Sequence, residues 1–347
     1  MKKENIINLV KYHVENNNSA FINETCDIAK DFEKTGDSSI SEYLYELISN
    51  SNVYVPQTAN HNYKYLTKKE YTNKPLYLPN SIEEDVIGIT KAIKRNIGMQ
   101  KFLFFGAPGT GKTESAYLIA RILNYDMYMV NIEQLIDSKL GETSKNVVEM
   151  FEEINKLPIL NSIVIFDELD SLISNRIANN DLKEMGRVTT AFLKCFDNLK
   201  NGAVIIATTN LINCFDKALI RRFDANISFD RYTKEDLIEI SNMFLSQILK
   251  KTDNTKQNKK MFSKIIKNCK NVPYPGELKQ IIRTAVAFSD ENSEYDYLRK
   301  FYLGINQISN IPNINELASQ GYTSREIEIL TKVSKSSVNR KISRGIK

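Results

Sequence analysis

Apolar residues recur along the first fifty positions at three- and four-residue spacing. Ile6, Leu9, Val10 and His13 share one face of a first predicted helix. Phe21, Ile22, Ile28, Ala29 and Phe32 form the stripe of a second, which Gly36 would end, and Ile40, Tyr43, Leu44, Leu47 and Ile48 that of a third. From 56 to 80 the pattern gives way to polar residues broken by Pro56, Pro75 and Pro79, the composition of a linker. Beyond 81, apolar runs of strand length appear at 101–105, 127–130, 162–166, 203–207 and 227–229, most of them separated by segments of helical spacing. Buried strands alternating with helices predict an α/β fold: a parallel five-stranded sheet with helices on both faces. After Thr233 the spacing is helical, with helices predicted at 234–250, 259–269, 276–288 and 294–304. The chain therefore divides into a small helical N-domain (1–55), a linker (56–80), an α/β core (81–232), a helical lid (233–308) and a C-terminal helical unit (309–347).

Composition narrows the class. Apolar residues make up 42% and charged residues 26% of the 347 positions, as in ordinary globular proteins. No apolar run reaches membrane-spanning length, and the first residues turn polar too soon for a secretory signal, so a cytoplasmic protein with no membrane partner is expected. Cys26, Cys195, Cys214 and Cys269 lie far apart, which argues against disulfides and structural zinc. The two histidines, His13 and His61, stand far from the motifs described next, which excludes histidine-based catalysis at those motifs. The net charge of +5 is unevenly placed. From Ile311 onward, seven basic residues face only Glu316, Glu326 and Glu328, which marks that end for a polyanionic partner.

The strand at 101–105 runs into Gly106-Ala107-Pro108-Gly109-Thr110-Gly111-Lys112-Thr113, followed by a helical segment beginning at Glu114. Strand, glycine loop and helix form the context that a phosphate-binding loop of the G-x-x-x-x-G-K-[ST] type requires. Its N–H groups and the helix N-terminus would cradle phosphate oxygens, Lys112 would reach the β- and γ-phosphates of ATP, and Thr113 would bind Mg²⁺. Glu114, next in sequence, is a further candidate for nucleotide binding. A second apolar run, 163–166, ends in Asp167-Glu168. One carboxylate for Mg²⁺ (Asp167) and one to polarise the attacking water (Glu168) suffice for phosphoryl transfer, which is mostly positioning and charge neutralisation. Asn210 ends the next strand, where it could orient the lytic water, and Arg221-Arg222 could reach a neighbouring subunit's phosphate.

With these elements placed, residues 81–290 resemble an AAA-family ATPase, the group within AAA+ that holds FtsH-like proteases, katanin-type severing enzymes and proteasomal ATPases. Leu135 to Thr143 is similar to the family's pore loop, Asp167-Glu168-Leu169-Asp170 to its extended second motif, and Asn210 with Arg221-Arg222 to the two ends of its second homology region. The resemblance implies a homo-oligomeric ring, a hexamer, with ATP bound between subunits. Lys112, Thr113, Asp167 and Glu168 would act within one subunit, Asn210 as a first sensor, and Arg221 or Arg222 across the interface. Three departures stand out. Lys139 occupies the pore-loop position where the family usually has an aromatic residue, the two arginines lack the usual Pro-Gly insert, and Lys279, after Pro275-Gly276-Glu277-Leu278, stands where a second-sensor arginine is usual.

Past 312, a short helix ending at Gly321, a capping box at Thr323–Glu326 opening a second helix, and a basic third helix from Ser334 resemble the helix-turn-helix of resolvases and some transposases. That resemblance implies double-stranded DNA as a partner. Lys335, Ser336, Ser337 and Asn339 would face base edges, and Arg340, Lys341 and Arg344 would face phosphates. The expectation is an ATP-driven ring that remodels a macromolecule and is targeted or regulated by DNA. The alternatives are a protein unfoldase or protease partner whose tail binds protein, and a DNA-binding regulator switched by ATP.

Overall fold

The structure is a computed structural model that describes residues 3–14, 18–35, 37–49, 63–71, 76–136, 142–157, 161–174, 182–199, 203–252 and 255–345. Gly36, residues 56–62 and 72–75 of the predicted linker, and Lys139, Leu140 and Gly141 of the stretch likened above to a pore loop lie outside them, as does the Arg344 side chain. Contacts divide the chain into two units, residues 1–62 and 63–347.

The first unit holds α1 (Lys3–Val14), α2 (Asn18–Thr35) and α3 (Ser38–Ser49). Ile22, Ile28 and Ala29 of α2 are buried, as its spacing predicts. In α1, which packs on α2, the predicted stripe is only partly covered: Ile6 and Val10 are exposed.

The second unit opens on a strand that the hydrophobic pattern does not announce. β1 (Leu66–Lys69) lies within the stretch expected to be linker. It is polar because it is an edge strand with one open side. Side chains far along the sequence hold its entry. Glu153 accepts from the Lys64 and Tyr65 N–H groups at 2.8 and 3.0 Å, and the buried Tyr65 hydroxyl lies 3.0 and 2.9 Å from side-chain oxygens of Asn146 and Glu149. After α4 (Asn80–Lys94) come β2 (Lys101–Phe105), α5 (Lys112–Leu123), β3 (Asp126–Val130), α6 (Ile132–Leu135), α7 (Glu142–Ile154), β4 (Ser162–Phe166), α8 (Asp170–Ser174), α9 (Leu182–Asp197), β5 (Val204–Thr209), α10 (Lys217–Ile220) and β6 (Ala225–Ser228).

The sheet has six strands in the order β1-β3-β4-β5-β2-β6, not the five expected. β1 runs antiparallel to β3, and every other pairing is parallel. Side chains alternate across it as the strand period demands. Phe102, Phe104, Ile163, Ile165, Val204 and Ile206 face a core closed by Val86 and Ile89 of α4 and Ile119 of α5. Leu103, Val164, Phe166 and Ile205 face a second core closed by Phe151 of α7 and Phe192 and Phe196 of α9. Both faces are thus covered, which is why these strands read as unbroken apolar runs. The crossovers bring the loops after β2, β4 and β5 to the carboxyl end of neighbouring strands.

A helical layer follows: α11 (Lys234–Leu249), α12 (Lys259–Asn268), α13 (Pro275–Ala287) and α14 (Asp296–Ile305), then α15 (Ile314–Ser319), α16 (Ser324–Thr331) and α17 (Lys335–Gly345). The capping box at Thr323 and Glu326 forms. The three last helices, drawn above as a unit of their own, share one core with α11–α14. Leu317, Tyr322, Ile327, Leu330 and Val338 belong to the cluster of Phe262, Ile282 and Phe301. Two ion pairs cross the same seam, Lys264 to Glu326 at 2.7 Å and Lys332 to Asp296 at 3.0 Å.

Candidate functional site

The loop between β2 and α5 turns back on itself through Gly109 and Gly111, whose φ angles of +76° and +94° a side chain would resist. Thr110 ties the turn internally, its hydroxyl donating to the Ala107 carbonyl at 2.9 Å. Lys112 opens α5 and points back under the loop. Its ammonium donates to the Gly106 and Ala107 carbonyls and to Asn210 Oδ1, each at 2.8 Å. At 6% exposure, burial pushes the Lys112 pKa down, and Asp230, Asp167, Asp170 and Glu168 pull it partly back.

Asp167 and Glu168 leave the end of β4 beside this loop. Thr113 donates to Asp167 Oδ1 at 2.7 Å, and Thr208 at the end of β5 donates to the same oxygen at 2.6 Å. The Thr208 hydroxyl also accepts from the Glu168 N–H at 2.9 Å. Glu168 has φ +52°, a left-handed conformation uncommon for a residue with a side chain, and its side chain is exposed toward the cavity it lines. Asn210 is held in turn by its own N–H, which donates to Asp170 Oδ1 at 3.2 Å. The result is a cluster of Lys112, Thr113, Asp167, Glu168 and Asn210 assembled from three separate strand ends.

These residues line a cavity of about 350 Å³ together with Pro108 to Glu114, Thr208, Pro275, Gly276 and Lys279. Leu76, Tyr77, Tyr232 and Phe244 add apolar and aromatic surface, suited to a flat base beside a phosphate cradle. Lys279 lies at the rim, its ammonium 5.4 Å from the Phe244 ring centroid. The hard oxygens of Thr113 and Asp167 meet at the end of the cradle, a donor set that fits Mg²⁺ sharing its remaining positions with phosphate and water.

The two arginines are not among the cavity-lining residues. Arg222 is fixed within its own chain: its Nε lies 2.9 Å from both carboxylate oxygens of Asp197, and its Nη1 donates to the Ala218 carbonyl at 2.7 Å. Arg221 points to solvent. Among the basic C-terminal positions, Lys335, Ser336, Asn339, Arg340 and Lys341 are exposed on α17, Ser337 is half-buried, and Val338 anchors the helix. These residues are not among those that line the cavity.

Residues 102–231 match the family described as "ATPase family associated with various cellular activities (AAA)". That stretch, somewhat over a third of the chain, is what is similar to the family. Over 131 residues the chain is 39% identical to the uncharacterized AAA family ATPase y4kL of Sinorhizobium fredii, a stretch covering 38% of this chain and 39% of that protein. It is 33% identical over 147 residues to the cell division cycle protein 48 homolog of Archaeoglobus fulgidus, covering 41% of this chain and 20% of the other. The chain thus spans well under half of these relatives' length. The fold matches the crystal structure of the FIGL-1 AAA domain (TM-score 0.52, 18% identity, 74% of this chain and 90% of that one). It also matches a chain in the structure of an E. coli MS115-1 HORMA:CdnC:Trip13 complex (TM-score 0.55, 17% identity, 68% and 90%).

Several residues of the cavity and of the loop beside it escape sequence reasoning. Thr208 sits two places before Asn210 in an ordinary-looking Thr-Thr-Asn; its signal was position at a strand end. Leu76 and Tyr77 fall in the stretch that reads as linker. Asp230 and Tyr232 reach the glycine loop through tertiary packing and no local pattern marks them; Gly276 falls in the stretch quoted for Lys279, but its contact with the loop is tertiary too.

Proposed function

We propose that the chain is a Mg²⁺-dependent ATP hydrolase that works as a homo-oligomeric ring. The observation that carries the reading is the convergence of Lys112, Thr113, Asp167, Glu168 and Asn210 on one cavity. Lys112 neutralises the β- and γ-phosphates, and the loop N–H groups cradle them. Thr113 and Asp167 would hold Mg²⁺, which would supply charge neutralisation at the phosphoryl group. Glu168 accepts the proton of the attacking water, and Asn210 orients that water. Thr208 holds the Asp167 carboxylate and the Glu168 backbone N–H through one hydroxyl. Lys279 contacts the phosphates from the opposite wall. Of the two arginines, Arg221 is the one available to a neighbouring subunit, since Arg222 is engaged with Asp197.

The work of hydrolysis is the remodelling of a macromolecule, targeted or regulated by double-stranded DNA at α17. The support for DNA is the row of exposed Lys335, Asn339, Arg340 and Lys341 on a helix whose opposite face is buried through Val338.

Two measurements test these readings separately. Glu168→Gln should leave ATP binding intact and lower turnover by about a hundredfold or more, as expected for loss of a general base. Unchanged turnover removes Glu168 from that role. For DNA, the rate is measured with and without duplex on the full chain and on Lys335→Glu/Arg340→Glu/Lys341→Glu. Stimulation seen in the first and absent in the second ties α17 to DNA. A rate indifferent to duplex in both, with no binding in a filter assay, overturns the DNA reading.

A further inference from the structure

The glycine loop is gripped at three points by residues outside its own motif. Asp230, just past β6, accepts from the Ala107 N–H through Oδ1 at 2.7 Å. Tyr232 donates from its hydroxyl to the Thr110 carbonyl at 2.7 Å. The Gly276 N–H, at the start of α13, donates to the Gly109 carbonyl at 2.8 Å. The anchors also pack on one another: the Tyr232 and Tyr274 rings lie 6.0 Å apart, and burial and then the Asp230 carboxylate push the Tyr274 phenol up. A side chain on Gly106, whose φ is +144°, would come within 2.8 Å of Asp230 Oδ1, so the carboxylate sits directly on the loop's first turn.

A carboxylate beside a triphosphate cradle is electrostatically costly, and that cost calls for a use. Ala107 is the hub of the first turn. Its carbonyl receives both the Thr110 hydroxyl and the Lys112 ammonium, while its N–H goes to Asp230. We propose that Asp230 is a positioning residue for nucleotide binding: by accepting from Ala107 it fixes the first turn of the phosphate loop, and with it the seat of Lys112. The inference rests on the ATP-site reading above.

The carboxylate has two effects of opposite sign on affinity. Its acceptor oxygen pre-orders the loop, which favours binding. Its negative charge repels phosphate, which opposes it. Asp230→Asn keeps an acceptor and removes the charge, whereas Asp230→Ala removes both. The test measures the Kd of MgADP by calorimetry, and KM and kcat for ATP, on the full chain and both variants.

The expected result is that Asp230→Ala raises Kd and KM about tenfold, the loss of one hydrogen bond to a charged group, with the effect falling on KM rather than kcat. Asp230→Asn should bind at least as tightly as the native chain. Asp230 is exposed, so neither change strips the core, and matching melting temperatures check that. If both variants tighten binding, Asp230 acts through charge alone and the positioning role is wrong. If Asp230→Ala leaves KM and Kd unmoved, the inference fails while the ATP-site reading stands. A native chain that binds no adenine nucleotide overturns both.

Discussion

Gly276→Ala is the substitution on which the geometry speaks most sharply. Gly276 is the second residue of α13, and a Cβ there would lie 2.8 Å from Gly109 Cα and 3.1 Å from Gly109 O. Both atoms are backbone, in a loop residue already at φ +76°, so nothing can swing aside. Restoring ordinary contact at 3.4 Å requires α13 and the loop to part by about 0.6 Å. That movement also stretches the Gly276 N–H to Gly109 carbonyl bond, now 2.8 Å, out of useful range. Overpacking costs roughly 1–3 kcal/mol and the hydrogen bond contributes about 1 kcal/mol. At about 1.4 kcal/mol per decade, even a combined loss of about 2 kcal/mol lowers nucleotide affinity roughly thirtyfold. The fold itself should not suffer equally, because Ala is the better helix former by up to about 1 kcal/mol.

The signature is therefore a split: weaker MgADP binding by calorimetry, with a melting temperature close to that of the native chain. Gly88→Ala supplies the control. Gly88 is exposed within α4 with open space around its Cβ position, so this change should stabilise by roughly 0.5–1 kcal/mol and leave Kd untouched. Native-like affinity in Gly276→Ala, within threefold, would refute the contact between α13 and the phosphate loop.

Further predictions follow from neighbouring contacts. Arg221→Ala should abolish turnover while sparing nucleotide affinity and should poison mixed assemblies, whereas Arg222→Ala should show chiefly in melting temperature. The second effect stays below about 1 kcal/mol because the Arg222–Asp197 pair is partly exposed; equal kinetic loss in both variants would contradict the division of labour. Thr208→Val should lower kcat at least tenfold with little change in Kd, since it unmoors Asp167 and the Glu168 N–H while leaving the loop alone; unchanged kcat would refute it. Acid should loosen the seam between α14, α16 and α12. Burial alone would raise Asp296 and Glu326, but the Asp290 N–H with Lys332, and Lys264 with Thr323, outweigh it and hold both carboxyls below the usual range. Their stabilisation is complete above the unfolded values of about 4 and is lost as pH falls through the folded ones. Asp296→Asn/Glu326→Gln should therefore melt below the native chain at pH 7, with the gap closing by pH 3; a gap constant with pH would exclude these carboxyls.

How far the sequence carries depends on whether the chemistry is local. The glycine loop after β2 and the Asp167-Glu168 pair after β4 are legible because each is a contiguous signature on a strand end. The buried strands are legible because two-sided burial makes them continuous runs. β1 is not, because an edge strand of Leu66-Thr67-Lys68-Lys69 carries no apolar run, and its place is set by Glu153 nearly ninety residues away. Asp230, Tyr232 and Gly276 hold the loop through contacts separated by over a hundred residues, where no spacing rule applies.

The C-terminal helices show the same division. Their boundaries and the Thr323 capping box follow from local residues, but their relation to the rest does not. About 35 residues make a marginal core alone, and the apolar residues of these three helices pack on one another and also join the cluster of α12 and α14. Removing residues past 310 would uncover Phe262 and Phe301 and strand Asp296 without Lys332, so a truncation would confound loss of α17 with damage to the helical layer. Charge reversal on the exposed face of α17 avoids this. α17 thus shares a cluster with α13, whose Gly276 N–H donates to the Gly109 carbonyl.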